Sequence, residues 1–385
     1  MSRSAPARVE PRAAARRVLM SADTVGGVWR YALELCRALI ARGHEVALAT
    51  MGRMPDRAQR READAIRGLE LYPSGYRLVW MDGAWGDVAT AGEWLLALAA
   101  DVRPDVVHLN DLGHGDLPWP APVLIVGHSC VLSWWDAVHR APAPPEWSRY
   151  AAHVRRGLGA ADLVVAPTRA MLAELQRFYG PLRRTRVIAN GRSRPQAPAC
   201  AREPMVLSAG RLWDEAKNVG ALAAAAPRVP WPVRVAGPDR APDGARIALA
   251  NVELLGTLDA AALDGWLARA PIYALPARYE PFGLSVLEAA QSGCALVLGD
   301  VPSLRENWDG AAAFVAADDV DRLVVELNRL IGDDTRRARL GAAARRRAQR
   351  FTPAAMAAAY ADAYTALDPR HRGADPQRRH AGVAP

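Results

Sequence analysis

Cysteine is scarce, and the four present (Cys36, Cys130, Cys200, Cys294) are scattered without any C-x-x-C spacing. That excludes a zinc ribbon or a thioredoxin-type redox pair and fits a reducing compartment, so a cytoplasmic location is expected. The first residues, Met1 to Arg17, hold arginine, proline and alanine but no apolar core of the kind a secretory signal needs, and residues 1–16 read as a short disordered arm. A membrane-spanning helix is also missing. The stretch from Leu117 to Trp135 is free of Asp, Glu, Lys and Arg, yet Pro118, Pro120 and Pro122 would remove backbone donors that lipid cannot replace. Global disorder is excluded too, because 51% of the residues are hydrophobic and only 23% charged.

At 385 residues the chain is long enough for two domains. Its 49 basic and 41 acidic residues leave a formal net charge of +8, a mild excess compatible with phosphorylated ligands, an anionic membrane surface or nucleic acid. The densest basic run, Arg336 to Arg350, has no interleaved aromatic residues to stack bases, so nucleic acid is not the expected partner.

The chain opens as strand, glycine turn, helix and strand: Arg17–Asp23, Gly26-Gly27, a helical stretch to Arg42 closed by Gly43, then His44–Thr50. Such a β-α-β unit implies a parallel sheet. Further strands are expected at Asp105–Leu109, Val123–Val126 and Leu163–Ala166. Between Asn190 and Pro204 a glycine and three prolines interrupt all periodicity, which marks a linker, with the domain boundary placed at 195/196. A second α/β series follows: strands at Met205–Ala209, Val233–Ala236, Val252–Leu255, Ile272–Pro276 and Ala295–Leu298, and a helix at Leu284–Gly293. This second half is expected to end at 352, followed by a helix over 353–368 and a polar tail over 369–385.

The most informative segment is Tyr279–Gly293, YEPFGLSVLEAAQSG. Pro281 and Gly283 permit a tight turn, and the amides of Phe282, Gly283 and Leu284 are orphan donors at a helix start, where the dipole also favours an anion. Glu280 before that helix and Glu288 inside it can accept hydrogen bonds from ligand hydroxyls. Arg211 and Lys217, beside Gly210 at the end of a strand, offer a rigid fork and a compact charge to phosphate oxygens. Gly26 and Gly27 either let a phosphate or an acceptor approach backbone amides or merely shape a turn. VGGVWRYA has no third glycine, which disfavours a nicotinamide enzyme. His128, after a strand in GHSCVLSWW, projects toward an interdomain cleft or is a packed, hydrogen-bonded residue; Trp134 and Trp135 read equally as a stacking platform, an interfacial lipid contact or core.

The segment Glu280–Glu288, two acids with seven residues between them and PFG after the first, resembles the E-x7-E signature of retaining GT-B glycosyltransferases of glycosyltransferase family 4. AGRLWDEAKN (Ala209–Asn218), VIANG (Val187–Gly191), APTRAMLAEL (Ala166–Leu175), Gly26-Gly27 and DVVH (Asp105–His108) agree with that family in order and spacing, and the likeness covers roughly Arg17 to Leu367. It implies two Rossmann-like α/β domains whose parallel sheets face each other across a cleft, with the last helix crossing back to the first domain. It also implies transfer of a hexosyl group from a nucleoside-diphosphate sugar to an acceptor hydroxyl, on a glycan, a lipid-linked molecule or a small molecule, with no cofactor and no metal. In that scheme Glu288 binds the ribose, Glu280 holds donor-sugar hydroxyls, Arg211 and Lys217 neutralise the diphosphate, and His128 contacts the donor sugar. A non-catalytic binding module and a sugar-nucleotide epimerase are the alternatives.

Two other patterns invite a metal. His108, Asp111, His114 and Asp116 cluster in HLNDLGHGD, which reads better as a strand-end loop, and Asp319-Val320-Asp321 spells D-x-D but stands where a helix cap is expected. Basic charge together with the Trp134-Trp135 pair would suit peripheral docking on the inner face of a membrane.

Overall fold

A computed structural model describes residues 15–193, 201–241 and 244–368. The first lobe holds a seven-stranded parallel sheet built from β1 (Arg17–Asp23), β2 (Glu45–Met51), β3 (Leu69–Pro73), β4 (Val106–Leu109), β5 (Val123–Val126), β6 (Leu163–Ala166) and β7 (Thr185–Val187), in the order 3-2-1-4-5-6-7. The second holds a six-stranded parallel sheet, β8 (Val206–Ala209), β9 (Val233–Ala236), β10 (Glu253–Gly256), β11 (Ile272–Leu275), β12 (Ala295–Gly299) and β13 (Ala312–Val315), in the order 10-9-8-11-12-13. Central strands such as β4, β5, β6, β8 and β11 are buried at every position, which is why they read as short unbroken apolar runs rather than alternating ones. Helices cover both faces of each sheet, and the buried apolar side chains of the described residues form five core clusters.

β3, β7 and β13 were not legible. LELYP is broken by Glu70 and has no buried position, TRV is three residues long and AAFV is alanine-rich, and each lies at a sheet edge where no fully buried apolar run is required.

The chain ends by returning to where it began. Thr352 caps the helix Pro353–Leu367, accepting from the Ala355 amide at 3.1 Å, and Pro353 occupies its first turn. Met356, Ala357, Tyr360 and Tyr364 pack with β1 and with the helix Gly27–Ala41 in the first lobe's core, and the Tyr364 hydroxyl lies 2.7 Å from His108 Nδ1. Arg16 was assigned to the disordered arm, but it is buried in an ion pair with Asp368. The rest of the arm, residues 1–14, and the tail 369–385 lie outside the described residues, as do 194–200 of the linker and the domain boundary within it.

Candidate functional site

In each sheet the strand order reverses beside its first strand, at β1/β4 and at β8/β11, and the loops beyond the carboxyl ends of those strands face one another across the lobes. A ligand of an open parallel sheet settles at such a reversal point. The first lobe contributes Asp23 to Gly27 after β1, Asn110 and Asp111 after β4, and His128 after β5. The second contributes Gly210 to Lys217 after β8 and Tyr279 to Gly283 after β11.

Two helices begin at this junction, Gly27–Ala41 and Leu284–Gln291. Both have glycine at the N-cap, neither has a side-chain cap, and neither carries an acid in its first turn. Their first turns approach closely enough that a Cβ on Gly27 would meet the Leu284 side chain at 3.6 Å. Two positive dipole ends therefore converge on one spot, which favours an anion there.

Arg211 reaches this spot from the second lobe. Its Nη1 lies 3.0 Å from where a Cβ on Gly26 would stand, so the glycine gives the guanidinium room. One end of the fork is anchored, Nη2 donating to Asp214 Oδ2 at 2.7 Å, while Nε is buried with no hydrogen-bond partner among the described residues. A buried, unanswered N–H on a cation is costly unless a ligand answers it. Asp214 is buried and also accepts from the Trp134 indole of the other lobe at 3.0 Å. Burial by itself would raise the Asp214 carboxyl, but Lys217, Arg211 and the indole together hold it below its usual range. Trp134 is thus a brace across the cleft and not a free stacking platform; its ring sits 6.2 Å from that of Trp135, and both are half-buried.

Lys217 and Glu280 form a pair at 2.7 Å with side chains 14% and 13% exposed, and Glu280 Oε1 also accepts from the Gly283 amide at 2.9 Å. Of the three helix-start amides expected to be open, that of Gly283 is therefore taken by Glu280. Gly237, which the motif reading did not pick out, fixes the β8 loop. Its φ is +139° and a Cβ on it would stand 1.7 Å from the Gly210 carbonyl oxygen.

Glu288 is buried and faces the first lobe, 2.9 Å from Arg192 Nε and 3.5 Å from Arg30. His128 Nε2 lies 2.8 Å from Asn110 Oδ1, and its ring meets the Tyr31 ring edge-on at 4.4 Å. The Asn110 amide nitrogen already donates to the Ser21 carbonyl at 2.7 Å, so its oxygen must accept from Nε2–H and Nδ1 is left as an acceptor. Burial pushes the His128 pKa down to about 3, which keeps the ring neutral. His128 is thus a packed, hydrogen-bonded residue at the carboxyl end of β5.

Behind it the same network continues. Ser21 Oγ donates to Asp111 Oδ2 at 2.9 Å, and Asp111 Oδ1 holds His114 Nδ1 at 2.8 Å. Burial opposes both charges, but the pairing prevails, lifting His114 to about 9 and lowering Asp111 to about 2. Among the described residues no group of three or more His, Cys, Asp or Glu is placed to hold a metal ion. Asp319 caps the helix Val320–Gly332, accepting from the Arg322 amide at 2.8 Å.

The lobes touch at further points. Tyr279 projects from the second lobe into the first, its hydroxyl 2.8 Å from Ser133 Oγ. Glu306 accepts from the amides of Arg169 and Ala170 at 2.9 and 3.0 Å, capping a first-lobe helix from across the gap, and Thr168 Oγ1 donates to the Pro281 carbonyl at 3.0 Å. Asp23, which motif reading also passed over, accepts from the Val25 amide at 2.9 Å and so shapes the glycine turn. Burial raises its carboxyl, against the pull of that amide and of Arg211. Of these residues Tyr279, Thr168 and Ser133 lie in segments the sequence marks, whereas Asp23 and Glu306 lie in none.

Two parallel-sheet lobes with convergent helix starts and cations between them define a GT-B architecture. Residues 25–193 match the family model described as Glycosyltransferase Family 4, and residues 203–333 match Glycosyl transferases group 1. The chain belongs to this glycosyltransferase family. A D-inositol 3-phosphate glycosyltransferase of Xylanimonas cellulosilytica is 29% identical over 88% of this chain and 91% of its own length. A glycogen synthase of Mycobacterium tuberculosis is 27% identical over 92% and 94%. Among solved structures, the sucrose-phosphate synthase of Thermosynechococcus elongatus superposes with a TM-score of 0.73 at 21% identity, covering 91% of this chain and 99% of that one. HepE of Anabaena, crystallised with UDP-glucose, gives 0.72 at 17% identity, covering 91% and 100%. No helix among the described residues is long and apolar enough to cross a membrane.

Proposed function

We propose that this glycosyltransferase moves a hexosyl group from a nucleoside-diphosphate sugar to an acceptor hydroxyl, retaining the anomeric configuration and using no divalent metal. The observation that carries the reading is Arg211, with its Nε buried and unpartnered at the point where two uncapped helix starts meet. Here the diphosphate would lie against the Gly26-Gly27 turn, the amides of Phe282 and Leu284, and the Arg211 fork, with Lys217 beside it. As the bond from the anomeric carbon to the phosphate oxygen breaks, negative charge grows on the departing diphosphate, and these groups stabilise it without reorganising. The acceptor hydroxyl adds on the face the leaving group vacates and gives its proton to the departing phosphate oxygen. Glu288 would bind the ribose and Glu280 the donor-sugar hydroxyls. His128, neutral and with Nδ1 as an acceptor, would receive a hydrogen bond from the same sugar. Contacts between the lobes at Trp134, Thr168, Tyr279 and Glu306 close the cleft and exclude water, which favours transfer over hydrolysis.

The names of the relatives point to a polyol phosphate or a glucan as acceptor. The test is to incubate the protein with UDP-, GDP- and ADP-glucose, with and without myo-inositol 3-phosphate or maltoheptaose and with chelator present, following free nucleoside diphosphate and the anomeric proton coupling by NMR. An axial product with nucleotide release is expected. An inverted product, a donor epimerised without acceptor, or nucleotide bound but never released would each overturn the reading.

A further inference from the structure

The carboxylates of Glu34 and Glu288 lie on helices of opposite lobes, and both are buried, 4% and 2% exposed. Two like charges so placed repel and are poorly solvated unless a cation lies between them. The cation comes from the connecting segment. Arg192 Nη1 reaches Glu34 Oε1 at 2.6 Å, and its Nε reaches Glu288 Oε1 at 2.9 Å. A planar guanidinium addresses two carboxylates along two of its edges at once, which an ammonium on a flexible stem does not.

The surroundings fix that side chain further. Ser193 Oγ donates to Glu34 at 3.0 and 3.2 Å, and Gln291, one turn beyond Glu288, donates to the Arg192 carbonyl at 2.7 Å. Arg30 stands 3.5 Å from Glu288 Oε1 at the cleft, and Arg37 stands 3.9 Å from Glu34. Arg192 follows Gly191, whose α-carbon lies so close to the Thr352 carbonyl that a Cβ would approach it to 2.3 Å. One side chain therefore ties the helix Gly27–Ala41, the helix Leu284–Gln291 and the interlobe connection at a single point.

We propose that Arg192 is a positioning residue of the nucleotide site: it orients the Glu288 carboxylate for the ribose hydroxyls, with Arg30 as a second brace from the opposite lobe. The inference rests on Glu288 as the ribose-binding residue. Ribose recognition by a carboxylate needs both the charge and the direction of its oxygens, and a side chain shared with Glu34 supplies the direction.

The test measures calorimetric affinity for UDP and for 2′,3′-dideoxy-UDP, with the ADP and GDP pairs run in parallel. Wild-type protein and the Glu288→Gln, Arg192→Lys and Arg192→Gln/Glu34→Gln variants are compared, the last removing the cation without leaving Glu34 as an unpaired buried charge. Wild type should prefer the ribonucleotide. Arg192→Lys and the double variant should lose about tenfold in ribonucleotide affinity, roughly the worth of one charge-assisted hydrogen bond, with dideoxynucleotide affinity unchanged. Equal losses for the two nucleotides, or no loss, would show Arg192 to be structural only and overturn the proposal. If Glu288→Gln keeps the wild-type preference, the ribose reading of Glu288 itself falls, whatever the arginine variants do.

Discussion

Lys217 has two candidate duties, holding Glu280 in place and offsetting charge on a leaving diphosphate, and a double-mutant cycle separates them. In Lys217→Met the Glu280 carboxylate loses its partner at 2.7 Å while only 13% exposed. Breaking a buried pair from one side costs roughly 3–5 kcal/mol. The retained hydrogen bond from the Gly283 amide at 2.9 Å puts the expected loss near the lower end, about 3 kcal/mol. Adding Glu280→Gln removes the orphaned charge and should return most of that stability, so in Tm the two substitutions are strongly non-additive. Turnover should behave in the opposite way. A cation acting on the transition-state charge is worth about 10²–10³ in kcat. That loss persists when Glu280 is also changed, so the kinetic effects add. Thermal denaturation and donor-saturated kcat on the three variants decide the matter: a double variant no slower than Glu280→Gln alone would mean that Lys217 acts only by holding Glu280, and the electrostatic role would be refuted.

The Asp111–His114 pair should appear in the pH dependence of stability. His114 is raised from 6.5 to about 9 and Asp111 lowered from 3.8 to about 2, so the contribution is complete from pH 3.8 to 6.5, fades as pH rises toward 9, and fades again as it falls toward 2. Asp111→Asn should cost about 3 kcal/mol, or about 6–12 °C in Tm, and flatten the alkaline decline, whereas an unchanged slope above pH 6.5 would rule the pair out as its source. Gly237→Ala should lose about 3 kcal/mol or more, since the new methyl would lie 1.7 Å from the Gly210 carbonyl at a φ of +139°; a variant with wild-type Tm contradicts the close packing of that loop. Any peripheral membrane contact should run through the seven arginines between Arg336 and Arg350, of which Arg346, Arg347 and Arg350 line a hollow of about 260 Å³ with Gly310 and Ala311, and not through the cleft-bound Trp134. Co-sedimentation with phosphatidylglycerol vesicles should then be seen at low salt, weaken at high salt and disappear in Arg346→Glu/Arg350→Glu; no sedimentation at low salt removes the idea.

The division into two α/β lobes was readable because buried parallel strands need unbroken apolar runs and because glycines bracket one helix in each lobe, Gly26 and Gly43 around Gly27–Ala41 and Gly283 and Gly293 around Leu284–Gln291. Three of the four edge strands, β3, β7 and β13, escaped because an edge carries no such demand, and Arg16 was misassigned because its partner, Asp368, lies at the far end of the chain. Glu280, Glu288, Arg211 and Lys217 could be singled out because their neighbours (proline, glycine, a helix start) announce local geometry. The partners of these residues could not. Whether Lys217 faces open solvent or Glu280 depends on how the loops after β8 and β11 meet within the second lobe, and whether Trp134 is exposed or donates to Asp214 depends on how one lobe rests on the other; no local spacing records either.

Residues 34, 192 and 288 illustrate the point most sharply. In sequence they are an acid inside an amphipathic helix, an arginine in a proline-rich connection and the second acid of a motif, and only the last invites a role. Their joint meaning comes from topology. The connection passes between two helices that the sheets have already turned toward each other, so a side chain there can touch both lobes, and a cation is what two inward-facing carboxylates require. A site assembled in this way is set by folding before any ligand arrives. On the proposed role of Glu288, selectivity for a ribose would then reside in the connection between the lobes as well as in the pocket wall.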